Sequence, residues 1–85
     1  MASGTRIELC GRLADGCGPF VDLLLPADGV PVTGLISILR GRFPALQSAL
    51  SKGRIRACVN ETIVPDEAFV RPDDLVALFP PVSGG

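Results

Sequence analysis

The 85-residue chain predicts an α+β fold, a mixed sheet with one main helix packed across one face. Three observations carry that prediction. Apolar and polar residues alternate over residues 6–13, the period of a half-buried strand. Apolar residues then recur at helical spacing at Val32, Leu35, Ile36, Leu39 and Phe43. From Arg54 onward strand patterning returns, so a hairpin, a helix and further strands follow one another along the chain.

In the first strand Arg6, Glu8, Cys10 and Arg12 face one way and Ile7, Leu9, Gly11 and Leu13 the other. Asp15-Gly16-Cys17-Gly18-Pro19 has the chemistry of a turn. Phe20 to Leu25 is a second strand stopped by Pro26, and the pair reads as a hairpin or a near relative with a longer loop. Pro31-Val32-Thr33 opens the helix, with Thr33 as the expected N-cap. Gly34 and Gly41 weaken the helix by about 1 kcal/mol each relative to alanine. Pro44 ends or kinks it, and Ala45 to Leu50 can form a short second helical turn finishing near Lys52-Gly53.

Arg54 to Val59 alternates again, with Ile55, Ala57 and Val59 on one side. A turn at Asn60-Glu61 leads into a short strand, Thr62 to Val64, and residues 65–70 read as irregular. Arg71-Pro72-Asp73-Asp74 is a turn by composition. Leu75 to Phe79 is a near-continuous apolar run, the pattern of a central strand covered on both faces.

Composition narrows the function. A hydrophobic content of 47% supports a compact core in a single domain. Eight basic against nine acidic residues give a net charge of −1, which argues against phosphate-driven nucleic-acid binding. No apolar run is long enough to span a membrane, and the first residues lack the apolar core of a signal peptide, so the expected location is cytoplasmic. Cys10, Cys17 and Cys58 have no metal-site spacing and no histidine to join them; they read as plain thiols, with Cys10 and Cys58 as small hydrophobes inside strands. Arg40, Arg42, Lys52, Arg54 and Arg56 read as helix-end charge and a solvated strand face.

Side-chain catalysis is poorly provided for. The chain has no histidine to act as a base near neutral pH, and Ser3, Ser37, Ser48, Ser51 and Ser83 have no candidate activator. Asp66-Glu67 and Asp73-Asp74 are the solvated acids of turns, and Gly16 and Gly18 do not have phosphate-loop spacing. The ending Phe79-Pro80-Pro81-Val82-Ser83-Gly84-Gly85 stands out instead. Its prolines favour an extended run, and six residues beyond Phe79 reach roughly 20 Å when extended. Gly84 and Gly85 put no side chain beside a terminal carboxylate, so it can enter a narrow pocket of an ATP-using partner and be activated there.

Two segments, Ala57-Cys58-Val59-Asn60-Glu61-Thr62-Ile63-Val64 and Asp73-Asp74-Leu75-Val76-Ala77-Leu78-Phe79-Pro80-Pro81-Val82-Ser83-Gly84-Gly85, resemble the small subunit of molybdopterin synthase, the MoaD-like family. The match is strong over residues 54–85 and rests on element order over residues 6–53. The resemblance implies a ubiquitin-like β-grasp domain over residues 1–79 and a flexible, extended Gly-Gly tail over residues 80–85. It implies a sulfur carrier whose Gly85 bears a thiocarboxylate, reached through an acyl-adenylate, with Gly84 allowing the tail to thread. The chain would not be catalytic alone. It would bind no cofactor itself, while an activating MoeB-like adenylyltransferase uses ATP and Mg. A sulfur donor enzyme would charge it, and a MoaE-like large subunit would receive the sulfur for cyclic pyranopterin monophosphate in a two-plus-two heterotetramer. By position, Phe79 and Ile63 would meet these partners, and Pro80, Pro81, Val82 and Ser83 would line the tail's entry. Asp73 departs from the family, which often has glycine there. Two alternatives accompany this expectation: a ubiquitin-like modifier joined to lysines through Gly85, or a sulfur carrier for thiolated tRNA, thiazole or cysteine.

Overall fold

A computed structural model of the chain describes residues 2–51 and 55–80. The elements run β1 (Ala2–Leu9), a 3-10 turn (Gly11–Leu13), α1 (Ala14–Cys17), β2 (Phe20–Pro26), β3 (Val30–Pro31) and α2 (Val32–Arg42). A second 3-10 turn (Pro44–Leu46), α3 (Gln47–Ser51), β4 (Arg56–Val59), β5 (Thr62–Val64), β6 (Phe69–Val70) and β7 (Val76–Phe79) complete the order. Five strands form one sheet in the order β2-β1-β7-β4-β5. Only β1 and β7 are parallel in it, so the sheet is mixed, as expected.

One face of this sheet is covered. Val32, Leu35 and Leu39 of α2 pack on Ile7, Leu9, Val21, Leu23, Leu25, Ala57, Val76 and Leu78, with Ile36 and Phe43 at the margin. Burying each large aliphatic side chain there contributes about 1.5–3 kcal/mol relative to exposure. Pro44 ends α2 as predicted: Phe43 leaves the helical region at φ −126°, ψ 86°, because a residue before proline is pushed out of α conformation. The freed carbonyl of Arg40 accepts a hydrogen bond from the Gln47 side chain at 3.1 Å.

Several sequence expectations are corrected. The first strand starts earlier and stops at Leu9, not Leu13. Gly11 turns the chain at φ +57°, and the 3-10 turn keeps Leu13 fully buried without continuing the ladder. The expected hairpin thus exists with a long, partly helical connection. Thr33 is not the N-cap. The helix begins at Val32 after Pro31, and no side chain caps it. The backbone N–H groups of Val32 and Thr33 instead donate to the carbonyls of Ala68 (2.9 Å) and Asp66 (3.2 Å), so a distant segment satisfies the helix end.

That segment was read as irregular, yet Phe69–Val70 pairs with Val30–Pro31 as a small second sheet. Two-residue strands are too short to show a period. Gly29 makes the arrangement possible: it sits at φ +85°, and a Cβ there would lie 2.5 Å from the Val70 carbonyl oxygen. Asp73, the departure from the family pattern, does not have positive φ, so the turn needs no glycine. Asp74 holds that turn by accepting from the Arg71 backbone N–H at 2.8 Å. The Thr5 hydroxyl, buried in β1, donates to the Pro72 carbonyl at 2.8 Å and ties the same turn to the sheet. Lys52, Gly53 and Arg54, where a helix end and a strand start were expected, lie outside the described residues, as do Pro81, Val82, Ser83, Gly84 and Gly85.

Candidate functional site

Strand alternation sends every second residue of the sheet to the face that α2 does not cover. The expectation that β7 is covered on both faces is therefore wrong: it is central, but Val76 and Leu78 are buried while Ala77 is half-buried and Phe79 is exposed. An apolar run in a four-residue strand cannot distinguish a second packed layer from a surface kept open for another molecule.

Registers map this open face without ambiguity. Cys58 on β4 lies opposite Ala77 on β7 and Ile63 on β5, and Glu8 on β1 is paired with Ala77 and with Phe20. One rung further along, Arg56 lies opposite Phe79. Cys10 follows Leu9 on the other side of β7 and donates its backbone N–H to Leu78 at 3.0 Å. Pro80 packs on Gly11, close enough that a Cβ at residue 11 would sit 3.2 Å from its ring. The two side chains expected to meet partners, Phe79 (39% exposed) and Ile63 (64% exposed), thus share one face, separated by β4. Neither is core. Leu24 and Phe20 on β2, and Leu75 just before β7, are further exposed apolar residues.

Two depressions lie beside these residues. A shallow groove of about 400 Å³ is lined by Arg6, Glu8, Phe20, Cys58, Leu75 and Ala77, among others. Its Arg6 side chain is committed locally, 3.3 Å from the Asp22 carboxylate and 5.6 Å above the Phe20 ring. A recess of about 280 Å³ is walled by Arg56, Ile63, Val64, Pro65 and Asp66, with Ile55.

The turn at Asn60-Glu61 sets the β4–β5 pair. Both residues take positive φ, at 51° and 69°, as a tight hairpin requires. Asn60 also clamps the start of β7: its side-chain oxygen accepts from the Leu75 N–H (3.0 Å), and its side-chain nitrogen donates to Asp74 (3.1 Å). Ile63 thus sits on a hairpin tied to the start of β7, the strand that carries Phe79 at its other end.

Alternation already set Cys10 beside Glu8, and Arg56 on a solvated face, but the sequence reading gave Cys10, Cys58 and Arg56 no part in the site. Both cysteines are half-buried on the open side rather than core residues. Partial burial pushes the Cys10 thiol up, and Glu8 and Cys58 add to the shift, so it stays protonated and sluggish as a nucleophile. The inward placement of Ala57 was the available signal, since its neighbours must then point outward. Among the described residues no cluster of three or more histidine, cysteine or acidic residues could hold a metal, and no helix is long and apolar enough to cross a membrane.

Comparison with known proteins agrees with the architecture. The crystal structure of SAMP1 from Haloferax volcanii superposes with a TM-score of 0.76 at 27% identity, covering 98% of this chain and 100% of that one. A putative molybdopterin converting factor, subunit 1, from Pyrococcus furiosus shares the fold with a TM-score of 0.73 at 20% identity, over 94% of this chain and 99% of its own. A molybdopterin synthase sulfur carrier subunit from Haemophilus influenzae is 46% identical over 37 residues, which is 44% of this chain and 46% of that relative, so the match spans under half of it. The profile of the ThiS family matches residues 7–85. With its mixed sheet, main helix α2 across one face and this near-complete match, the chain belongs to the ThiS family of ubiquitin-like β-grasp proteins.

Proposed function

We propose that this chain is the sulfur-carrier subunit of a molybdopterin synthase. The observation that carries the reading is the exposure of Phe79 and Ile63 on one open sheet face, at the strand end that leads into Pro80 and the Gly84-Gly85 sequence. The name of the Haemophilus influenzae relative supports it. In this reading residues 1–79 are the handle, residues 80–85 the reagent, and the protein works in the cytoplasm.

The chemistry belongs to the terminus and its partners. An adenylyltransferase binds the platform and brings the Gly85 carboxylate to Mg-ATP; a carboxylate oxygen attacks the α-phosphorus and pyrophosphate leaves. Sulfide-level sulfur from a sulfur donor then attacks the acyl carbon of the adenylate and AMP leaves, giving a thiocarboxylate. The charged chain then docks the same face on a MoaE-like subunit, its tail sulfur bonds to a carbon of cyclic pyranopterin monophosphate, and water cleaves the acyl–sulfur bond to return the Gly85 carboxylate. Each carrier brings one sulfur, so the two of a dithiolene fit a two-plus-two assembly. Pro80, Pro81, Val82 and Ser83 line the entry, and Gly84 lets the chain thread.

Incubation with an adenylyltransferase, Mg-ATP and a sulfur donor should yield, by intact mass, a species with one sulfur in place of one oxygen. If that species never forms, the reading fails. A residue added after Gly85 should abolish its formation while leaving the fold intact. A second reading, a modifier that forms isopeptide bonds, is favoured by the likeness to SAMP1, a small archaeal modifier protein. Lysine-linked adducts in lysate, with no molybdopterin made from the charged protein and a MoaE-like subunit, would select it.

A further inference from the structure

Resting on that docking reading, we infer that the MoaE-like subunit receiving Phe79 also presents a carboxylate, from an aspartate or glutamate, to Arg56. Arg56 lies opposite Phe79 in the β4–β7 register, and it walls the same recess as Ile63 on the β5 side. It therefore sits beside Phe79 and diagonally across the β4–β5 pair from Ile63, whose direct partner is Cys58. A partner surface that covers both Phe79 and Ile63 covers Arg56 as well. Arg56 makes no hydrogen bond or ion pair with the described residues, and the nearby Arg6–Asp22 pair is occupied with itself.

Removing a guanidinium from water without an acceptor is costly enough to cancel much of what a buried aromatic anchor supplies. A carboxylate resolves this best. It neutralises the charge and accepts two parallel N–H bonds from the planar fork, which a single carbonyl does not. The arrangement is a buried anchor with a charged pair at its edge, where opposite charge sets register and speeds encounter. The platform thus recognises an apolar pocket for Phe79 flanked by an acidic residue.

The test measures binding of the full-length chain to the MoaE-like subunit, by calorimetry, across a range of NaCl concentrations. Arg56→Leu should weaken binding ~10-fold or more and flatten its salt dependence, and Arg56→Glu should weaken it ~100-fold. Thermal unfolding should show both variants folded. Wild-type or tighter binding by Arg56→Leu, or an unchanged salt slope, overturns the inference. Phe79→Ala separates the two levels. If it weakens binding while Arg56→Leu does not, the docking reading stands and the carboxylate does not exist. If Phe79→Ala has no effect, the docking reading fails and the inference with it. Asp66 walls the same recess. An Asp66→Asn variant that reproduces the Arg56→Leu loss would place the acceptor within this chain and also overturn the inference.

Discussion

The two faces of the central sheet are built from the same strands and do opposite things. On β7, Leu78 is fully buried against the helix layer, while Phe79 beside it is exposed. On β4, Ala57 is buried, and its neighbours Arg56 and Cys58 face outward. The covered face spends its apolar groups on folding. The open face keeps Phe79, Ile63, Leu75, Phe20 and Leu24 available, a concentration of exposed apolar groups that marks a contact surface. Period-two alternation therefore divides one sheet into a stability surface and a recognition surface, and the layer of α2, α3 and the two 3-10 turns decides which is which.

The largest effect that tests this division comes from the covered face. Leu78→Ala should destabilise the domain by about 2–5 kcal/mol, a large share of the total for a domain this size, visible in chemical denaturation. On the open face, Ile63→Ala should change stability by less than about 1 kcal/mol yet weaken partner binding. Equal stability losses at the two positions would erase the distinction.

Asn60→Ala sits between the faces. It removes the clamp on Leu75 and Asp74 and leaves alanine at φ +51°, so about 1–3 kcal/mol of stability should go, together with the positioning of Ile63. Arg6→Ala should shift stability by less than about 1 kcal/mol, because both members of its ion pair are well exposed.

The smallest effect concerns Cys10. Its thiol is raised, so the folded state favours the protonated form. The resulting stability is complete below the unfolded thiol's pKa and is lost as pH rises through the folded one. Alkylation of Cys10 in the folded protein should consequently have a midpoint at higher pH than in the unfolded chain. A lower midpoint would mean that the open face activates the thiol.

Much of this architecture was legible in the residues. The helical stripe at Val32, Leu35 and Leu39, the stop at Pro44, the β4–β5 turn at Asn60-Glu61 and the final strand at Val76–Phe79 all follow from local patterns. The elements that escaped have nonlocal causes. β3 and β6 exist because Val30–Pro31 and Phe69–Val70 are brought together by a turn at Gly29 and by the backbone caps of α2. The 3-10 turn at Gly11–Leu13 replaces a strand because Leu13 must reach the core, while Pro80 closes over Gly11 from the far end of the chain.

Alternation along each strand already states which residues share a side, because successive side chains point to opposite faces of a pleated backbone. The resemblance of their segments to the MoaD-like family, and not alternation, singles out Phe79 and Ile63. Alternation cannot say which side is dry. That is settled by where α2 lands, and by the β1–β7 parallel pairing that makes β7 central and aligns Arg56, Phe79, Cys58 and Ile63 across neighbouring strands. Such pairings join residues far apart in sequence, so their register is a property of the packed sheet and not of any one segment.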